Sequence, residues 1–190
     1  MTEHIVHTFE DIQFTPEQVR SMIDLLWRVW PNENYTAEQA IADFLKWQTE
    51  PLEQLQKCIH LIFDENDKVI SHAESHVRVM FTPKGAIRLM ALGGVCTDPD
   101  KRGLGLGSAV VRAAFSRVDK GEFPVCVFQT PAVKFYESLG AAVCPNNTWV
   151  DRKDKENPTA HPWEPGEALM YYPASFDWPE GEIDINGGQY

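Results

Sequence analysis

Val95-Cys96-Thr97-Asp98-Pro99-Asp100-Lys101-Arg102-Gly103-Leu104-Gly105-Leu106-Gly107-Ser108 is the stretch on which the reading of this chain turns. It starts as a strand, passes through a loop with glycine at alternate positions, and enters a segment from Ser108 with Val110, Val111, Ala114, Phe115 and Val118 on one helical face. Alternate glycines let the backbone come close to a ligand and turn several N–H groups inward. The start of a helix adds donors with no partner inside the helix and a dipole that favours anions. Such a nest suits phosphate oxygens. The competing reading is a tight strand-to-helix turn with no ligand at all. G-x-x-x-x-G-K-[ST] is absent, and G-x-G-x-x-G read from Gly103 places Ser108 where the last glycine belongs. Neither a P-loop nor a dinucleotide fingerprint therefore fits.

Working outward, residues 87–97 read as a strand interrupted by Gly93-Gly94, where a bulge is expected because glycine inside a strand often marks one. Two more strand patterns precede it, 58–63 and 68–80, separated by the turn-rich segment 64–67, so three successive antiparallel strands are expected. Upstream, Thr15-Pro16-Glu17-Gln18 and Thr36-Ala37-Glu38-Gln39 each carry the signature of a capped helix start. Val19, Met22, Ile23, Leu26 and Trp30 give the first helix its apolar stripe, and Ala40, Ile41, Phe44 and Leu45 the second. A short strand is expected at 4–8. Downstream, 125–128 reads as a buried strand, Thr130-Pro131 opens a further helix that Gly140 closes, and 141–144 with 167–172 suggest a terminal strand pair. The charged, Pro-rich segment 151–166 reads as a loop, and 174–190 shows no periodicity.

In this context Arg102-Gly103-Leu104-Gly105-Leu106-Gly107 resembles the Q/R-x-x-G-x-G/A signature of the GNAT superfamily, the GCN5-related N-acetyltransferases. The preceding Val-x-x-x-Pro at Val95 and Pro99, the following helix and the element order from about Thr15 to Tyr172 agree with that resemblance. It implies an α/β (α+β-like) GNAT fold: a central mixed, mostly antiparallel twisted sheet splayed between strands 4 and 5 and flanked by about four helices. It also implies an acyltransferase that moves an acetyl group directly from acetyl-CoA to a primary amine, with acetyl-CoA as co-substrate and no metal. The pantetheine arm would enter the splay like an added strand against backbone groups of Val95 and Thr97. A backbone N–H near Val95 or Cys96 would serve the oxyanion. Arg102, Gly103, Gly105, Gly107 and Ser108 would hold the pyrophosphate, Arg102 also offsetting its charge, with Asp98 and Asp100 expected to point away.

Phe135-Tyr136-Glu137-Ser138-Leu139-Gly140 resembles the family's F-Y-x-x-x-G segment, which implies Tyr136 as general acid toward the departing thiolate. Core packing on the stripe of Ala132, Phe135, Tyr136 and Leu139 is the alternative. The family's usual glutamate base is missing, because the matching stretch reads Ile87-Arg88-Leu89-Met90-Ala91-Leu92. His72, Glu74 and His76 alternate along one strand face and offer replacement bases, Glu74 being the candidate base or water relay, beside a structural reading and a metal reading of the same trio. Cys96 has no histidine at a recognisable partner spacing and reads as a packed strand residue.

The 190 residues, 43% hydrophobic and 24% charged, fit one core-bearing domain at 1–173 with an acidic, aromatic tail at 174–190 packed on it. A net charge of −11 with no Lys/Arg stripe argues against a nucleic-acid partner. No apolar run approaches bilayer length, no signal-peptide pattern opens the chain, and Cys58, Cys96, Cys126 and Cys144 lack C-x-x-C spacing, which together point to the cytoplasm. The acceptor reads as a small-molecule amine. Trp27, Trp30 and Trp47, on or beside the first two helices, read as core packing or as a wall of the acceptor site, and the acidic tail reads as solvated surface or as a wall suited to an aminoglycoside or polyamine. A non-catalytic coenzyme A-binding module stays open, as does oligomeric state, a homodimer included.

Overall fold

The computed structural model describes residues 4–10, 12–49, 57–145, 148–151, 153, 156, 161–162 and 166–187. In chain order these form β1 (His7–Phe9), α1 (Pro16–Val29), α2 (Ala37–Trp47), β2 (Cys58–Phe63), β3 (Val69–Thr82), β4 (Gly85–Thr97), a 3-10 turn (Pro99–Lys101) and α3 (Leu106–Asp119). There follow β5 (Cys126–Thr130), α4 (Val133–Glu137), β6 (Ala142–Val143), β7 (Thr148–Trp149), β8 (His161–Pro162) and β9 (Ala168–Tyr172). Seven strands make one sheet in the order β1-β2-β3-β4-β5-β9-β6, and β7 pairs with β8 alone. β1–β2, β2–β3, β5–β9 and β6–β9 are antiparallel, while β4–β5 is parallel. Among the described residues this is the mixed sheet with four helices that the resemblance implies. It splays at β4–β5: the parallel ladder holds only Met90↔Cys126 and Ala91↔Val127, although β4 continues to Thr97.

The chain divides into two compact units. The first comprises the described residues within 1–75 and 94–114. Both of its long helices start on full capping boxes, Thr15 with Gln18 and Thr36 with Gln39, each box satisfying two orphan amides. α1 buries Val19, Met22, Ile23 and Leu25, and α2 buries Ala40 and Ile41. These pack with Phe14, Ile59, Leu61, Val69 and Cys96. Trp27 and Trp47 lie partly buried against that core, whereas Trp30 is half exposed.

The second unit comprises the described residues within 76–93 and 115–190. Its core joins Met80, Leu89, Val125, Val127 and Leu169 to Trp178, Ile183 and Ile185 of the C-terminal segment. Asp184 exchanges backbone hydrogen bonds with Phe81 at 2.9 Å in both directions. The expected terminal pair forms at one end of the sheet, β6 with β9, and β9 also pairs with β5. The segment expected to be a loop, partly outside the described residues, contributes β8 to a two-stranded ribbon. The helix opened by Pro131 spans only Val133–Glu137, and Gly140 ends it at φ +94°, a left-handed conformation natural to glycine.

Candidate functional site

Two glycines shape the loop. Gly103 (φ +79°) and Gly105 (φ +82°) are left-handed, and a Cβ at either would meet nothing within 4 Å. Backbone conformation therefore requires them, not crowding. Residues 101–105 are exposed, while Leu106 is buried and pins the start of α3. α3 begins two residues before Ser108, so Gly107 falls in its first turn. Its first closing bond runs from Ala109 N–H to the Gly105 carbonyl at 3.0 Å, and the amides of Leu106, Gly107 and Ser108 precede the ladder. Three such donors at the positive end of a 14-residue helix can face an anion and make this loop the candidate cradle.

The two acids expected to turn away from this loop, Asp98 and Asp100, both pair with a base. Arg28, in the last turn of α1, donates to Asp98 at 2.7 Å and to Asp100 at 2.5 Å. Asp98 is buried, also accepts from the Asp100 amide at 3.0 Å, and caps the 3-10 turn. Nothing local in the sequence marks Arg28, because its partners lie 70 and 72 residues away.

Before the loop, β4 carries the expected irregularity: Gly94 sits at φ +59°, the left-handed glycine conformation found in one class of strand bulge. A Cβ there would lie 2.9 Å from His72 Cε1, so the imidazole occupies the space a side chain would need. His72 Nδ1 lies 2.7 Å from the Gly94 carbonyl. A carbonyl only accepts, so Nδ1 carries the proton. His72 is buried, and burial, only partly offset by nearby Glu74 and the Gly94 bond, lowers its pKa and keeps it neutral. Its neighbour Ser71, fully buried, donates to the Cys96 carbonyl at 3.0 Å and lies 3.0 Å from Thr97 Oγ1.

Glu74 is part-exposed and paired with Lys57 at 2.6 Å; the Lys57 ammonium also lies over the Trp47 ring. No group of three metal-ligating side chains occurs among the described residues. The Cys96 thiol is buried and desolvation pushes its pKa up to about 12, so it stays protonated at neutral pH and is no nucleophile.

Within the second unit, Tyr136 is buried against Phe128 (ring centroids 4.4 Å) and Phe135 (4.8 Å). Burial raises its phenol pKa, so it holds its proton at every physiological pH. Both amide atoms of Gln129, on β5, are buried without a hydrogen-bond partner among the described residues. A buried amide costs roughly 1–3 kcal/mol when unsatisfied.

The profile of an acetyltransferase (GNAT) domain matches residues 12–144. The chain belongs to the GNAT family. No curated protein sequence matches it. Among solved structures, a GNAT-family N-acetyltransferase from Escherichia coli in complex with CoA superposes with a TM-score of 0.60 at 13% identity, over 96% of this chain and 89% of that one. An acetyltransferase from Trypanosoma brucei gives 0.56 at 15% identity, over 78% and 99%. Glucosamine-6-phosphate N-acetyltransferase from Arabidopsis thaliana gives 0.55 at 16%, over 75% and 95%. The chain spans about a third of the Kribbella flavida GCN5-related N-acetyltransferase chain it also matches. At such identities these likenesses show the fold.

Proposed function

We propose that this GNAT chain is a cytosolic enzyme that transfers an acetyl group directly from acetyl-CoA to a primary amine of a small molecule, without a metal. The observation that carries the reading is the cradle before α3, where left-handed Gly103 and Gly105 precede three helix-start amides. It fits a pyrophosphate held by Arg102, Gly103, Gly105, Gly107 and Ser108. Val95 and Thr97 take the pantetheine arm.

Acetyl-CoA supplies an activated acyl thioester. The amine lone pair forms the C–N bond, the C–S bond breaks, the amine loses a proton and the thiolate gains one. Tyr136, buried and protonated, is assigned as the proton donor to sulfur, and Glu74 as the base or water relay at nitrogen. An aminoglycoside or polyamine is the finer version of the acceptor, supported by the exposed acids Asp177, Glu180 and Glu182.

The test is thiol release from acetyl-CoA against aminoglycosides, polyamines, amino acids and peptides, with thermal shift as the binding control. Turnover with at least one amine is expected. Thermal stabilisation by acetyl-CoA without turnover on any amine would leave a coenzyme A-binding module, and no stabilisation at 1 mM acetyl-CoA would sink the reading altogether.

A further inference from the structure

Over the last four residues of β4, two of the carbonyls are held by side chains of β3: Gly94 by His72 and Cys96 by Ser71. Just past the strand, the Asp98 N–H reaches the Ile70 carbonyl at 2.9 Å. Both side chains are buried polar groups, Ser71 at 0% and His72 at 2% exposure, and burying them unpaired would be costly. Their hydrogen bonds fix two peptide planes. In a trans peptide the N–H points opposite to the preceding carbonyl. With Gly94 C=O turned to His72, the Val95 N–H points away from His72. With Cys96 C=O turned to Ser71, the Thr97 N–H points away from Ser71.

We propose that His72 and Ser71 are positioning residues for acetyl transfer, His72 aiming the Val95 amide at the thioester oxygen and Ser71 aiming the Thr97 amide at the pantetheine arm. The inference rests on the transfer reading above. It replaces a proton-transfer role for His72 with a geometric one: Nδ1–H is committed to Gly94, and the ring fills the space that a Cβ on Gly94 would take. It also separates two effects. A misaimed Val95 amide weakens stabilisation of charge that develops during reaction and lowers kcat. A misaimed Thr97 amide weakens ground-state binding of the cofactor and raises its KM.

The experiment compares His72→Phe, His72→Asn and Ser71→Ala with the parent enzyme. Phenylalanine keeps the ring without the donor, and asparagine restores a donor near the Nδ1 position. Losing an oxyanion donor outright costs about 10²–10³ in kcat, so a misaimed one in His72→Phe should cost about tenfold or more, with acetyl-CoA KM within about threefold. His72→Asn should recover most of that loss. Ser71→Ala should raise acetyl-CoA KM severalfold with kcat nearly kept, a split that loss of packing alone does not give. NMR gives a readout independent of turnover: the parent should show His72 protonated on Nδ1, the Gly94 carbonyl carbon should shift in His72→Phe, and the Cys96 carbonyl carbon in Ser71→Ala. An Nε2-protonated His72, or full kcat in a folded His72→Phe, overturns the proposal, and the tautomer decides alone if that variant fails to fold. A parent enzyme that releases no thiol with any amine defeats the transfer reading separately, while the carbonyl shifts still report whether these side chains hold the strand.

Discussion

Replacing Arg28 by methionine keeps most of the side-chain volume and removes the guanidinium that bridges Asp98 at 2.7 Å and Asp100 at 2.5 Å. The Asp98 side chain is only 6% exposed, so its bond to Arg28 belongs with hydrogen bonds to charged groups, about 1.5–3 kcal/mol. Arg28 itself is 41% exposed, and solvent screening takes the figure to the bottom of that range or just below it. Asp100, 77% exposed, adds at most a few tenths. About 1–1.5 kcal/mol remains. Expressed as disorder and uncompensated negative charge at the cradle, it weakens acetyl-CoA binding about tenfold. Expressed as stability, it lowers Tm by about 2–6 °C for a chain of this size. Because the lost affinity is repulsion between carboxylates and an anionic ligand, the deficit should shrink as the Debye length falls from about 10 Å at 0.1 M salt to about 3 Å at 1 M. Calorimetric titration of acetyl-CoA at both salts, on Arg28→Met, Asp98→Asn and the double variant, measures this. The double variant should bind better than Arg28→Met alone. A deficit below twofold, or one unchanged by both salt and the Asp98→Asn change, would refute the neutralising role.

Three further outcomes follow from the same geometry. Tyr136→Phe should keep the fold and acetyl-CoA affinity while lowering kcat about 10²-fold, the scale of a lost general acid; near-normal turnover at saturating substrates would make Tyr136 a packing residue only. Gly105→Val meets no neighbour within 4 Å but must hold φ +82°, a left-handed cost of about 1–2 kcal/mol, so the variant should fold with a lower Tm and bind acetyl-CoA at least tenfold more weakly, and unchanged affinity by calorimetry would place the nucleotide elsewhere. Burial lowers the His72 pKa from its ordinary 6.5, so the unfolded chain holds that proton more tightly: the stabilisation is complete above about pH 6.5 and is lost as pH falls through the lowered native value. Urea midpoints of the parent and His72→Asn should therefore converge as pH drops from 7.5 to 5, and parallel curves would contradict a neutral buried His72.

What was legible in the sequence was whatever physics writes locally. The Thr-x-x-Gln boxes at Thr15 and Thr36 place both helix starts to within a residue, since each cap is closed by side chains three positions apart. Gly94, Gly103, Gly105 and Gly140 mark the irregular turn of β4, the loop before α3 and the end of α4, because all four take positive φ, where a side chain is penalised. The C-terminal segment resists the same treatment. Trp178, Ile183 and Ile185 enter the second core from a stretch without helix or strand, so no period announces them. β7 and β8 escape notice for a related reason, being two residues each.

The supports of the candidate site are illegible for a different reason: they depend on register. His72, Glu74 and His76 alternate on β3 and look alike in sequence, yet His72 is committed to Gly94 and Glu74 to Lys57, partners fixed only once β3 lies beside β4 and β2. Ser71 carries no signal at all until the Cys96 carbonyl needs a donor. Arg28 reads as an ordinary basic residue closing α1, favoured there by the helix dipole, until the fold sets two aspartates against it. The glycine loop declares what kind of ligand the backbone can approach. The residues that keep its carboxylates quiet and its strand amides aimed come from α1 and β3, far away in sequence. A cradle read from its glycines is therefore complete as a motif and incomplete as a site, and substitutions at Arg28, Ser71 and His72 should damage function while leaving every motif residue in place.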